Sequence, residues 1–175
     1  MGGTAEVLKR IDRLPNVRYP VLVPNQKGLN DLFALLGENP SNPPLTDEIA
    51  IFTAATDAFT RANLNCTVTE SLEKLSKVTR SALDRGLRVR GYVSVVIACP
   101  YSGRTDYKRV REIAKELMEM GCYEVSLGDT VGQGRPREVG EMLEEVKKSV
   151  PVENLAVSPG IALVFIHTYG GCRDM

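Results

Sequence analysis

At 175 residues the chain is long enough for one well-buried domain or two very small ones. Its 43% hydrophobic and 25% charged residues are those of a globular protein. The 22 basic and 22 acidic residues leave no net field to draw in nucleic acid or an anionic membrane. A single histidine, His167, excludes any site within this chain that needs two imidazoles.

Periodicity sets out the elements in order. Val7, Leu8, Ile11 and Leu14 share a helical face that Pro15 should end, and Tyr19 to Val23 reads as a buried strand stopped by Pro24-Asn25. A short helix is expected from Gly28 to Leu36. Residues 37–46 carry Pro40, Pro43 and Pro44 and read as an exposed loop insertion. Ile49 to Thr53 is a second strand, followed by a turn or two of helix from Thr56 to Arg61. Thr69 then opens a helix with Leu72, Leu75, Val78, Ala82 and Leu83 inward, and Gly86 terminates it. The stretch from Leu87 to Ile97 holds a third strand rich in valine. Asp106 caps a helix with the stripe Val110, Ile113, Leu117 and Met120, whose outer face should carry pairs such as Lys108–Glu112; Gly121 ends it. Cys122 to Leu127 is a fourth strand, Pro136 suits the first turn of another helix, and Leu155 to Val157 begins a fifth strand.

Alternation at spacings of roughly 30 to 40 residues means βα units and a parallel sheet. Two architectures satisfy it, an open doubly wound sheet and a (β/α)8 barrel, of which four to five units would be only a part. No apolar run is long enough to span a bilayer; Ile161 to Ile166 is a late, short one. Cys66, Cys99, Cys122 and Cys172 lie far apart, without a C-x-x-C, and read as reduced thiols rather than a zinc cluster or disulfide scaffold.

In either architecture ligands meet the loops that follow the C-terminal strand ends. That rule selects Pro24-Asn25, residues 53–66, 94–103 and 126–134. The last is the richest. Asp129, between glycines at a strand end, could take a proton, bind a metal or hold a substrate hydroxyl, or it could simply build a turn with Thr130. Cys99 could be a reactive or a quiet thiol. Asn63 and Asn65 could present two amides or make a turn. Arg90, inside a strand, needs an internal carboxylate partner, because unpaired burial would be costly.

Several segments resemble hydroxymethylglutaryl-CoA lyases: Gly91-Tyr92-Val93-Ser94, Cys99-Pro100-Tyr101, and the run from Met120 through Asp129-Thr130. Tyr19 through Asn25, and Phe59-Thr60 with Asn63-Leu64-Asn65-Cys66, agree as well. The similarity extends from about Thr4 to Val157, with the loop at 37–46 as its main departure, expected to alter only a surface. It implies a metal-dependent TIM-barrel lyase that cleaves 3-hydroxy-3-methylglutaryl-CoA to acetoacetate and acetyl-CoA, in leucine breakdown and ketone body formation. By match, Asp129 is the catalytic candidate, Ser126, Asn63 and Asn25 are substrate-binding candidates, and Asn63 faces the CoA portion. The implied cofactor is a divalent ion, Mg2+ or Mn2+.

The family's Arg-Asp-Gly first strand has no counterpart, and residues 158–175 diverge from its His-x-His-Asp-Thr-Tyr-Gly strand, leaving His167 as a remnant metal ligand at most. The chain is therefore expected to be one partial-barrel domain over residues 1–175, truncated at both ends and inactive alone. The alternative is a non-catalytic partial barrel binding CoA or a full-length subunit. Expected partners are a CoA thioester and either a second copy or that subunit, not nucleic acid or membrane. The resemblance implies the mitochondrial matrix; the start of this chain shows no transit peptide, which leaves the cytoplasm open.

Overall fold

The computed structural model describes residues 3–14, 17–41 and 43–158. Helix α1 (Thr4–Arg10) is followed by β1 (Val21–Leu22), α2 (Gln26–Glu38), β2 (Glu48–Ala54), α3 (Asp57–Leu64), α4 (Val68–Leu83) and β3 (Arg88–Ser94). A small hairpin of β4 (Ala98–Cys99) and β5 (Gly103–Arg104) leads into α5 (Tyr107–Glu119), β6 (Glu124–Gly128), α6 (Pro136–Val146) and β7 (Leu155–Ser158). Five strands make one parallel sheet in the order β1-β2-β3-β6-β7. The strands join in chain order and the sheet never reverses. A doubly wound sheet has a reversal point; a barrel wall does not. The fold is a partial (β/α)8 barrel.

Local chemistry places most of the ends. Thr67 and Glu70 close a reciprocal capping box on α4, and Asp106 accepts the Lys108 N–H at 2.9 Å to start α5. Gly86 and Gly121, at φ +76° and +104°, end α4 and α5 in the left-handed region open to glycine. Gly121 has a further reason: a Cβ there would lie 2.6 Å from Leu83 Cδ1.

Strand alternation sorts the sheet into two faces. Ile49, Ile51, Val89, Val93, Val125 and Leu127 point to the helices and are buried. On the same face Gly91 leaves room for α5, since a Cβ there would be 3.0 Å from Leu117, and Thr53 bonds Ser71 of α4 at 2.7 Å. Burying each such Ile or Leu contributes about 1.5–3 kcal/mol. The opposite face is polar at its base. Arg90, 1% exposed, donates to the Tyr123 hydroxyl from Nε and Nη2 at 2.9 and 2.8 Å, and Tyr123 donates to Glu48 Oε1 at 2.6 Å. Glu48 and Glu124 lie 3.5 and 3.4 Å from the guanidinium, which supplies the internal carboxylate partners expected for Arg90.

Several sequence expectations are revised. Helix α1 stops at Arg10, and of its expected stripe only Leu8 is buried; Val7 and Leu14 are 59% and 63% exposed. Arg13 Nη2 takes the Leu8 carbonyl, which a continuing helix would have given to Asp12. Pro15 lies outside the described residues. Leu83, expected inward, is 37% exposed at the end of α4, with its Cδ1 over Gly121. Glu112 pairs with Arg109, three residues back, at 3.4 Å instead of with Lys108. Helix α2 continues to Glu38, two residues into the expected loop, whose Thr46 is buried with its hydroxyl 3.0 and 2.9 Å from the carbonyls of Tyr19 and Glu48.

Removing one partner of a buried ion pair strands the other. Arg90→Met should therefore cost about 3–5 kcal/mol in urea unfolding. Destabilisation below about 1 kcal/mol would show that Glu48 and Glu124 do not depend on it.

Candidate functional site

The C-terminal ends of the strands are tied to one another by short polar links. Val95, directly after β3, holds φ +54°, a conformation that β-branched residues rarely adopt and that costs about 1–3 kcal/mol. Two threonines hold it there. Thr130 Oγ1 accepts the Val95 N–H at 2.9 Å, and Thr105 Oγ1 donates to the Val95 carbonyl at 2.7 Å. The strained residue thus joins the loop after β6 to the hairpin after β3.

Asp129 is 6% exposed and folds that loop around itself. Its Oδ2 accepts the Gly134 N–H at 2.7 Å and its Oδ1 the Gln133 N–H at 3.3 Å, while its own N–H donates to the Ser158 carbonyl at 3.1 Å. Gly134 cannot carry a side chain without intrusion: its Cβ would be 2.9 Å from Asp129 Oδ2. Asp129 and Thr130 do build a turn, and the carboxylate is engaged in it.

Ser126 is 1% exposed on β6, in register with Tyr92 of β3 and Ala156 of β7; Tyr92 is in turn in register with Phe52 of β2. This row lies on the polar face one layer above Arg90 and Glu124. Burial raises the Tyr92 phenol while the hydrogen bond from Arg90 opposes it; the net shift is upward. At neutral pH Tyr92 is thus a protonated donor. Burial opposes the charge on Arg90, but Tyr92, Tyr123 and Glu124 outweigh it and hold the guanidinium protonated. Tyr92 is legible in the sequence as the next residue in the alternation Arg90, Tyr92, Ser94.

The other candidates lie apart from this row. Asn25 is exposed at the end of β1, where its Oδ1 caps α2 by accepting the Gly28 N–H at 3.0 Å. Asn63, exposed on α3, donates to the Phe59 carbonyl at 2.9 Å. Asn65 ends α3 at φ +52° and makes the turn. Cys99 accepts from the Thr56 hydroxyl at 3.1 Å. Burial pushes its thiol up, but bonds from Ser102, Thr56 and backbone N–H groups outweigh it, and the net shift is down. Burial alone pushes Cys122 up to about 12. His167 and Cys172 lie outside the described residues, among which no three His, Cys, Asp or Glu side chains form a metal-ligand cluster. No described helix is long and apolar enough to cross a membrane.

Two outcomes check this geometry. Asp129→Asn and Gly134→Ala should each speed amide exchange at Gln133 and Gly134 and cost about 1–3 kcal/mol; unchanged exchange would contradict the engaged carboxylate. Iodoacetamide at mildly alkaline pH should alkylate Cys99 ahead of Cys122 in peptide mass spectra, and the reverse order would contradict the opposed thiol environments.

The chain is similar to known proteins along most of its length. It is 45% identical over 157 residues to the mitochondrial hydroxymethylglutaryl-CoA lyase of Bos taurus, covering 90% of this chain and 46% of the bovine protein. A cytoplasmic 3-hydroxy-3-methylglutaryl-CoA lyase of Danio rerio is also 45% identical, with 90% and 44% covered. Among solved structures, the HMG-CoA lyase of Brucella melitensis superposes with a TM-score of 0.81 at 43% identity, covering 90% of this chain and 52% of that one. The chain spans about half the length of these relatives. The HMGL-like family model matches residues 26–160, and with the parallel barrel wall built in chain order it establishes that this chain belongs to the HMGL-like family.

Proposed function

We propose that the protein is a hydroxymethylglutaryl-CoA lyase, cleaving 3-hydroxy-3-methylglutaryl-CoA to acetoacetate and acetyl-CoA, and that this chain supplies the floor and one wall of its acyl site. The observation that carries the reading is the row Tyr92–Ser126 at the C-terminal half of the sheet, above a buried cation. In the reaction the tertiary hydroxyl loses its proton, its oxygen becomes the new ketone, and the carbon–carbon bond breaks toward an acetyl-CoA enolate that is then protonated. The Tyr92 phenol and Ser126 hydroxyl are donors suited to orienting the substrate oxygens on which charge develops. Asp129 keeps the loop over them shaped, and Asn63 on the rim offers an amide to the CoA arm.

The described residues do not fit the divalent ion, Mg2+ or Mn2+, that the resemblance implies. No ligand cluster forms among them, and both Asp129 oxygens already accept backbone N–H groups. The relatives carry both mitochondrial and cytoplasmic names, and we infer the mitochondrial matrix from the bovine relative. A second reading, a non-catalytic partial barrel that binds CoA or a full-length subunit, draws on the outer strands. Leu22 of β1 and Val157 of β7 are 40% and 36% exposed.

The test is acetoacetate release from the thioester with Mg2+, beside calorimetric binding of the same thioester. Turnover that falls about a hundredfold in Tyr92→Phe or Ser126→Ala supports the lyase reading. Binding without turnover that weakens in Tyr92→Phe and Ser126→Ala supports the chain as an incomplete lyase site, and binding that neither substitution changes selects the second reading. Neither binding nor turnover overturns both.

A further inference from the structure

A cavity of about 640 Å3 opens at the N-terminal ends of β2 and β3, the end of the sheet opposite the candidate site. Its volume falls within the range of about 300–1,000 Å3 typical of small-molecule sites. Leu14, Pro43 and Leu45 contribute apolar wall, and Arg13, Arg18 and Arg88 face the same space. Part of this wall is the loop after α2.

The charges around the cavity do not balance. Arg18 meets Asp47 at 2.9 Å. Arg88 stacks over the Tyr123 ring at 3.8 Å, and the buried Glu48 Oε2, which accepts no hydrogen bond, lies 4.0 Å from both Arg18 and Arg88. Arg13 has no carboxylate within 4.0 Å among the described residues. It donates instead to two backbone carbonyls, Pro44 at 2.6 Å and Leu8 at 3.2 Å. Those bonds fix the guanidinium in place and use two of its five N–H donors, leaving a pre-positioned positive charge beside an apolar wall.

We propose that this cavity binds a small organic monoanion, a carboxylate on an apolar body, with the carboxylate on Arg13 and Arg18 and the body against Leu14, Pro43 and Leu45. A carboxylate matches the planar guanidinium fork, and the apolar wall favours a hydrocarbon body over inorganic phosphate. The site is independent of the lyase reading, since it shares no residue with the Tyr92–Ser126 row.

The probe is 4-fluorobenzoate, titrated into the full chain and followed by fluorine NMR, beside its neutral isostere 4-fluorobenzamide. Saturable binding of the benzoate is expected, with the benzamide weaker by about tenfold or more and a similar loss in Arg13→Gln and Arg18→Gln. The benzamide comparison uses the unaltered chain, so it stands even if Arg13→Gln loosens the loop. Equal binding of the two probes, no saturation, or unchanged benzoate affinity in both variants overturns the proposal.

Discussion

A guanidinium buried to 1% exposure is the constraint from which the candidate site follows. Arg90 can stay charged there only because Glu48, Tyr123 and Glu124 converge on it from β2 and from the start of β6. Those partners stitch three neighbouring strands into one register, Ala50 beside Arg90 beside Glu124. A slip of one residue would turn Arg90 toward the helices and bring its apolar neighbours onto the polar face. With register fixed, Tyr92 and Ser126 stand side by side one layer higher, where the strands open onto their loops.

The two ends of the sheet are built differently. At the C-terminal end the loops hold one another: Thr130 and Thr105 clamp Val95, Thr56 meets Cys99, and Asp129 gathers the loop that follows it. Strain stored at Val95 persists because that surrounding structure overdetermines it, a pattern suited to holding groups ready for a ligand. At the N-terminal end a proline-rich loop bridges to the segment before β1 through Arg13 and Thr46, leaving space between them. The loop expected to change only a surface lines that cavity.

Spacing alone divides Asp129 between chemistry and turn-making, for a reason visible in the fold. The residues that occupy its carboxylate, Gln133 and Gly134, are near in sequence, but Gly134 sits where a side chain would also meet Val139 and Ile97, the latter distant in the chain. The same holds for Leu14 and Val7. A helical stripe states that a face is apolar, not that anything lies against it.

What the sequence determined by itself were the features set by short-range chemistry. The alternation of strand and helix, the cap at Asp106, the proline in the first turn at Pro136, the glycine stops at positions 86 and 121, and the need of Arg90 for a buried carboxylate all depend on residues within a few positions or on the cost of burying charge. The tertiary structure alone decided which carboxylates those were, that Tyr92 joins Ser126, that Val95 bears strain and that a basic cavity forms below the sheet. Each of these is a meeting of side chains far apart in the chain, and only a fixed sheet register brings them together.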